Sequence, residues 1–173
     1  MIIALLWLGI ITIARWQWEF NLIFLWLGGL LGVFLVDLDH WLYLLVAQPQ
    51  ELTSLRVKKL LAEKKYKEAF VLVTDTTGER MKLSLHNVLT QIILLVFGFF
   101  VLTSTQNLFG AGLVLGVSLH LLKDEVQDLL AGKDEHLRQW LWWPIKIDLS
   151  WDQQRYFVIV MLLAFLGLNL LLV

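Results

Sequence analysis

Residues 20–46, "FNLIFLWLGGLLGVFLVDLDHWLYLLV", constrain this chain more than any other stretch. The run is longer than the roughly 20 residues that a straight membrane-spanning helix needs. Its acidic and imidazole side chains are Asp37, Asp39 and His40, gathered toward one end. Ionisable groups at membrane depth are costly, so a fold that keeps them must pair them, hydrate them or use them.

Four further apolar stretches lie at 2–14, 88–102, 108–122 (continuing helically to Leu130) and 157–173. With 58 % apolar and 17 % charged residues in 173, the chain reads as one membrane domain spanning 1–173. A net charge of −1 gives no indication of a nucleic-acid partner. The lack of cysteine excludes disulfides, thiolate metal sites and a cysteine nucleophile.

The first and third stretches need flanking residues to span. Trp16 and Trp18 extend the first, with Arg15 snorkelling to the interface. A signal peptide is the alternative for 2–14, which has no basic leader and no clear small-x-small cleavage site. Lys and Arg concentrate in segments 47–85 and 131–156, while "STQN" (104–107) has none. By the positive-inside rule both basic segments face the cytoplasm. The expectation is an all-α integral membrane protein of about five transmembrane helices, in the cell inner membrane, with its N-terminus cytoplasmic. Trp41, Trp140, Trp142, Trp143 and Trp151 would mark the inner interface and Trp16 and Trp18 the outer one.

The cytoplasmic insertion 47–85 has two parts. Residues 51–69 predict an amphipathic basic helix with Leu52, Leu55, Leu60 and Leu61 on its apolar side. Its Lys58, Lys59, Lys64, Lys65 and Lys67 suit an anionic membrane surface. A solvated helix packed on the bundle is the alternative. Residues 70–85, "FVLVTDTTGERMKLSL", read as a short β-hairpin turning at Asp75 to Gly78, without a phosphate-loop signature.

The polar residues converge. Asp37, Asp39 and His40 lie near the cytoplasmic end of the second span, and His86 at the start of the third. His120 and Asp124 come about 12 and 16 residues into the fourth, roughly 18 and 24 Å from its outer end. Three helices thus bring His and Asp to one level. His120 and Asp124, at i and i+4, share a face, and Asp128 continues the ridge. Gly112 and Gly116 lie upstream on that ridge, and Gly28 and Gly32 form a matching pair on the second span, so these helices can approach closely. On an unbroken helix Asp39 lines up with Gly28 and Gly32, while Asp37 and His40 point elsewhere.

Imidazole and carboxylate without thiolate suit Zn²⁺, Mn²⁺ or Fe²⁺, and this set has enough donors for one or two ions. Two ions would activate water and clamp a phosphoester oxygen. The alternative is a hydrogen-bonded His–Asp clamp between helices. Glu125 and Asp128 also read as solvated residues where the helix leaves the membrane. His136, Asp134 and Glu135 read as loop residues, and "WLWWP" as an interfacial belt broken at Pro144.

"VDLDH" (36–40), "KLSLHN" (82–87), "GVSLHLLKDEVQD" (116–128) and "LWWPIKIDLS" (141–150) resemble, in order, the "PDIDH", "HRGxTHS", "GxxSHLxxDxxT" and "LLWP" segments of the YdjM-like membrane-bound metal-dependent hydrolases. The resemblance covers about 32–150. It implies a metal-dependent hydrolase site with Asp37, Asp39, His86, His120 and Asp124 as ligands, and His40 at the motif histidine. Met81, Lys82 and Val36 stand where that family has His, Arg and Pro, and the family's N-terminal histidine has no counterpart.

The leading functional expectation is therefore a hydrolase of phosphoesters or lipid headgroups, using one or two Zn or Mn ions. Asp128 or Glu125 would serve as general base. The alternative is a non-catalytic membrane protein that uses the His/Asp cluster as a structural metal site or clamp and the insertion as a docking surface. An ion or proton pathway is disfavoured, because the outer halves of the spans lack ionisable residues.

Overall fold

Asn107 starts the central helix of the fold. Its side-chain oxygen accepts the Gly110 N–H at 3.0 Å, which caps α6 (Leu108–Leu130). Asn87 does the same for α5 (Val88–Ser104) through Thr90 N–H at 3.1 Å. Ser150 and Gln153 close a reciprocal capping box on α8 (Trp151–Leu172). The remaining helices are α1 (Ile2–Arg15), α2 (Leu22–Leu42), α3 (Leu52–Ala62), α4 (Tyr66–Asp75) and α7 (Asp134–Leu141). A π-helical turn, Tyr43–Ala47, extends α2, and a 3₁₀ turn, Thr77–Glu79, follows α4. This computed structural model describes residues 1–16 and 19–173; Trp18, expected at the outer interface, lies outside the described residues.

Glycine brings α2 and α6 together. A Cβ on Gly28 or Gly32 would run into the Phe109 or Leu113 carbonyl of α6. A Cβ on Gly112 or Gly116 would run into the Leu25 or Gly29 carbonyl of α2. Both helices therefore present small residues, and their backbones touch as the paired GxxxG spacings anticipate.

α1, α5 and α8 pack around this pair. Trp7, Leu8, Leu25, Leu115, Phe165 and Leu168 form much of the core at one end. Trp7 Nε1 donates to Asn169 Oδ1 at 2.7 Å, joining α1 to α8. Arg15 donates to the Leu172 carbonyl at 2.5 Å, satisfying the last turn of α8. Ile10, Leu27, Phe34, Val96, Phe99 and Leu163 face outward as an exposed apolar surface.

Two helices, Leu22–Ala47 and Trp151–Leu172, are long and apolar enough to cross a membrane. α1 has 14 residues and α5 has 17, both below a straight span. α6 carries charges along its last turns. Among the described residues, length and composition thus qualify two helices where the sequence suggests about five.

The all-α expectation holds, but the β-hairpin does not: no strand occurs among the described residues. Ala69 and Val73, four apart, are the buried positions of α4, a helical period inside a β-branched run. Residues 84–86 are non-helical, yet their N–H groups turn to the Asp39 carboxylate and do not form a ladder. The helix expected over 51–69 is two, broken at Lys64 with φ 58°. Of its supposed apolar side, Leu52 and Leu55 are exposed, while Val57 packs with Tyr43, Leu44, Val73 and Leu83.

The tryptophan belt is only partly a surface feature. Trp140 and Trp142 are buried, and Trp142 packs edge-on against Phe157 at 4.9 Å. Trp143 Nε1 donates to the Leu83 carbonyl at 3.1 Å. Residue 144, a proline, lies just beyond the end of α7.

Candidate metal centre

The glycine contact between α2 and α6 sets how close their polar ends come, and the loop before α5 completes the group. Asp39, 1 % exposed on α2, organises that loop. Its Oδ2 accepts from Leu85 N–H at 2.5 Å and His86 N–H at 3.3 Å, and its Oδ1 from Ser84 N–H at 3.2 Å. The same carboxylate lies 3.4 Å from His86 Nδ1. That contact favours a proton on Nδ1 and leaves Nε2 free as a ligand, the usual arrangement behind a metal-binding histidine. Asn87 braces the loop by donating to Ser84 O at 2.6 Å.

His86 Nε2 then stands 3.9 Å from Asp124 Oδ2. His120 Nε2 stands 3.1 Å from the same oxygen and 3.6 Å from Asp37 Oδ1. One ligand atom each from His86, His120 and Asp124 lie within 4.8 Å of one another, so these three residues could hold a metal ion. Ligands about 2.0–2.2 Å from a tetrahedral ion are roughly 3.3–3.6 Å apart, so this set needs only small adjustments. Lys123 Nζ pairs with Asp124 Oδ1 at 2.5 Å, which divides the carboxylate: one oxygen for the lysine, the other toward the imidazoles.

The other expected ligands take different places. Asp37 sits at the rim, its side chain 56 % exposed but within reach of His120. Asp39 faces the loop and positions His86. His40 lies against His86, ring centroids 5.0 Å apart, with a buried Nδ1 that has no partner. α2 stays helical through Asp37, Asp39 and His40, so these residues cannot all turn to one point.

The two candidate bases separate. Asp128 lines a cavity of about 330 Å³ that also holds His86, His120 and Asp124. Its Oδ2 lies 2.7 Å from His136 Nδ1 and accepts from Trp140 Nε1 at 2.8 Å. Glu125, fully buried, is not on that cavity and pairs with Gln91 of α5. It is therefore neither solvated nor placed to act on a molecule in the cavity.

Sequence reasoning misses His136, Trp140 and Arg80. His136 reads as a loop residue, yet α7 folds back through the Gly132 turn, φ 65°, and places it on Asp128. The "AGKDE" turn signal between α6 and α7 is the clue that could have found it. For Arg80 there is none. It is 4 % exposed on the cavity wall, and burial pulls its guanidinium below the usual pKa. Asp134 and Glu135 are exposed as expected, with Glu135 paired to Arg138. Comparison with protein families, curated proteins and solved structures gives no match for this chain.

Proposed function

We propose that the chain is a membrane-embedded metal-dependent hydrolase acting on phosphoesters, of lipid headgroups or of molecules presented at the membrane surface. The observation that carries this reading is the convergence of His86, His120 and Asp124, from a loop and a helix, on one cavity with Asp37 at its rim. The ordered motif blocks that resemble the YdjM-like hydrolases support it. An all-protein set of two imidazoles and a carboxylate leaves a coordination position open, as catalytic Zn²⁺ sites do.

A bound Zn²⁺ or Mn²⁺ would acidify a water and polarise a phosphoryl oxygen. Asp39 holds the His86 ring in its liganding orientation. Lys123 offsets part of the Asp124 charge. Asp128 orients His136, and the pair is placed on the cavity to take up or return the proton of water or leaving group.

We propose about five crossings, with local thinning of the bilayer accommodating the short α1 and α5. Only 44 % of the apolar window of α2 and 33 % of that of α8 is buried, unlike core helices of a soluble protein. Leu52, Leu55, Tyr66 and Phe70 are exposed beside Lys58, Lys59, Lys64, Lys65 and Lys67, a composition suited to an anionic cytoplasmic leaflet. The test is hydrolysis of a phosphoester panel by detergent-purified protein loaded with Zn²⁺ or Mn²⁺. Activity that is chelator-sensitive and falls at least about a hundredfold in His120→Ala supports the reading. Activity that survives His120→Ala contradicts it. A metal-binding protein inactive across the panel favours the non-catalytic alternative.

A further inference from the structure

Arg80 poses a problem that the hydrolase reading leaves unsolved. It comes directly after the 3₁₀ turn Thr77–Glu79 and is 4 % exposed. Its Nη2 donates to the Val73 carbonyl and to Thr76 Oγ1, the latter at 2.9 Å. Its Nε and Nη1 are buried without any acceptor. Among the described residues no carboxylate lies within ion-pair distance of it. A buried charge without a partner is costly, and a native chain keeps one where something supplies the counter-charge.

The position of Arg80 indicates what that is. It lines the cavity that holds His86, His120 and Asp124, and Lys123 and Lys133 line it too. A guanidinium with unused N–H groups matches the oxygens of a phosphoryl group better than any other side chain does. The cavity's own carboxylates do not fill the role, because none is within ion-pair distance of Arg80: Asp37 is at the exposed rim beside His120, Asp124 is shared between His120 and Lys123, and Asp128 is held by His136 and Trp140.

We infer that Arg80 is the anion-recognition residue of this cavity, and that the group it receives is a phosphoryl group seated between its guanidinium and the His86–His120–Asp124 cluster. The inference rests on the hydrolase reading for the chemistry after binding, but not for binding itself. It adds to that reading the residue that receives the phosphoryl oxyanion, whether from a lipid headgroup or from a soluble phosphoester.

The experiment is phosphate binding by calorimetry to the detergent-purified full chain, metal-loaded and metal-free, for wild type, Arg80→Gln and Arg80→Lys, with metal content measured in parallel. Inorganic phosphate and a short-chain phosphatidic acid are the two probes. Arg80→Gln is expected to weaken binding about tenfold or more, and Arg80→Lys to fall between, since it keeps the charge and loses the fork. Metal content should be unchanged. Arg80-dependent binding of phosphatidic acid alone assigns a lipid headgroup, and equal binding of inorganic phosphate assigns a soluble source; both support the site. Arg80-dependent phosphate binding to a protein that takes up no metal also supports it, while removing the hydrolase reading. Binding of either probe to wild type and both variants alike, or binding of neither probe to any of them, overturns the inference even where metal is retained. Because Arg80→Gln also loses the contacts to Val73 and Thr76, Arg80→Lys decides the case if the glutamine variant fails to fold.

Discussion

At Asp39 one carboxylate meets the N–H groups of Ser84, Leu85 and His86 as well as the His86 ring. Hydrogen bonds to a charged group contribute about 1.5–3 kcal/mol each, so this residue fixes the loop that delivers a ligand. Asp39→Asn places an amide N–H₂ where an acceptor is needed. The expected result is a metal affinity about 10–100-fold lower, read by chelator competition, in a protein that still purifies. An unchanged affinity would mean that His86 needs no such support. His136 differs in kind, because it reaches Asp128 but none of the three ligands. His136→Gln should leave metal content intact while lowering kcat about 10²–10⁴-fold and reshaping its pH profile. Loss of metal in that variant would mark His136 as structural. In the sequence, His86, His120 and Asp124 are legible because their types and depths coincide. The division of labour between Asp37 and Asp39 is not. It depends on which way a loop turns, and nothing in "VDLDH" records the three N–H groups waiting at 84–86.

Among the elements, α2 and α6 matter most, because their contact is backbone to backbone. Gly32→Leu or Gly112→Leu forces a side chain into a carbonyl of the facing helix. Overpacking of that kind costs roughly 1–3 kcal/mol, and more where the obstacle is main chain. Both variants should lower the thermal midpoint and shed metal together, whereas Gly167→Leu, with open space around its position, should do neither. Separate loss of the two would break the link between helix approach and site. The glycine spacing is readable because a GxxxG ridge has one period and one consequence. The fate of 66–75 is not: β-branched residues outvote a helical burial pattern carried by Ala69 and Val73 alone, and the N–H groups of the competing strand partner are bonded to Asp39.

For the whole molecule, the apolar exterior and the basic insertion support the proposal of a bilayer setting with the polar cavity toward the cytoplasm. The absence of native cysteine allows a direct check. A cysteine placed at Leu55 should react with an impermeant thiol reagent only from the cytoplasmic side of sealed vesicles, and one at Gln106 only from the opposite side. Labelling of both from one side would contradict the topology. The apolar class is plain in the sequence, because composition does not depend on packing. The number of helices that qualify as spans is overstated there, because helix ends such as Arg15 are set by caps and partners elsewhere in the chain. The central claim, that His86, His120 and Asp124 hold a divalent ion, is tested most directly by mass-spectrometric metal content of the detergent-purified protein beside the His120→Ala/Asp124→Ala double variant. About one equivalent or two of transition metal is expected in wild type and none in the variant. An empty wild type after reconstitution with Zn²⁺ and Mn²⁺, or the same content in the variant, would contradict it.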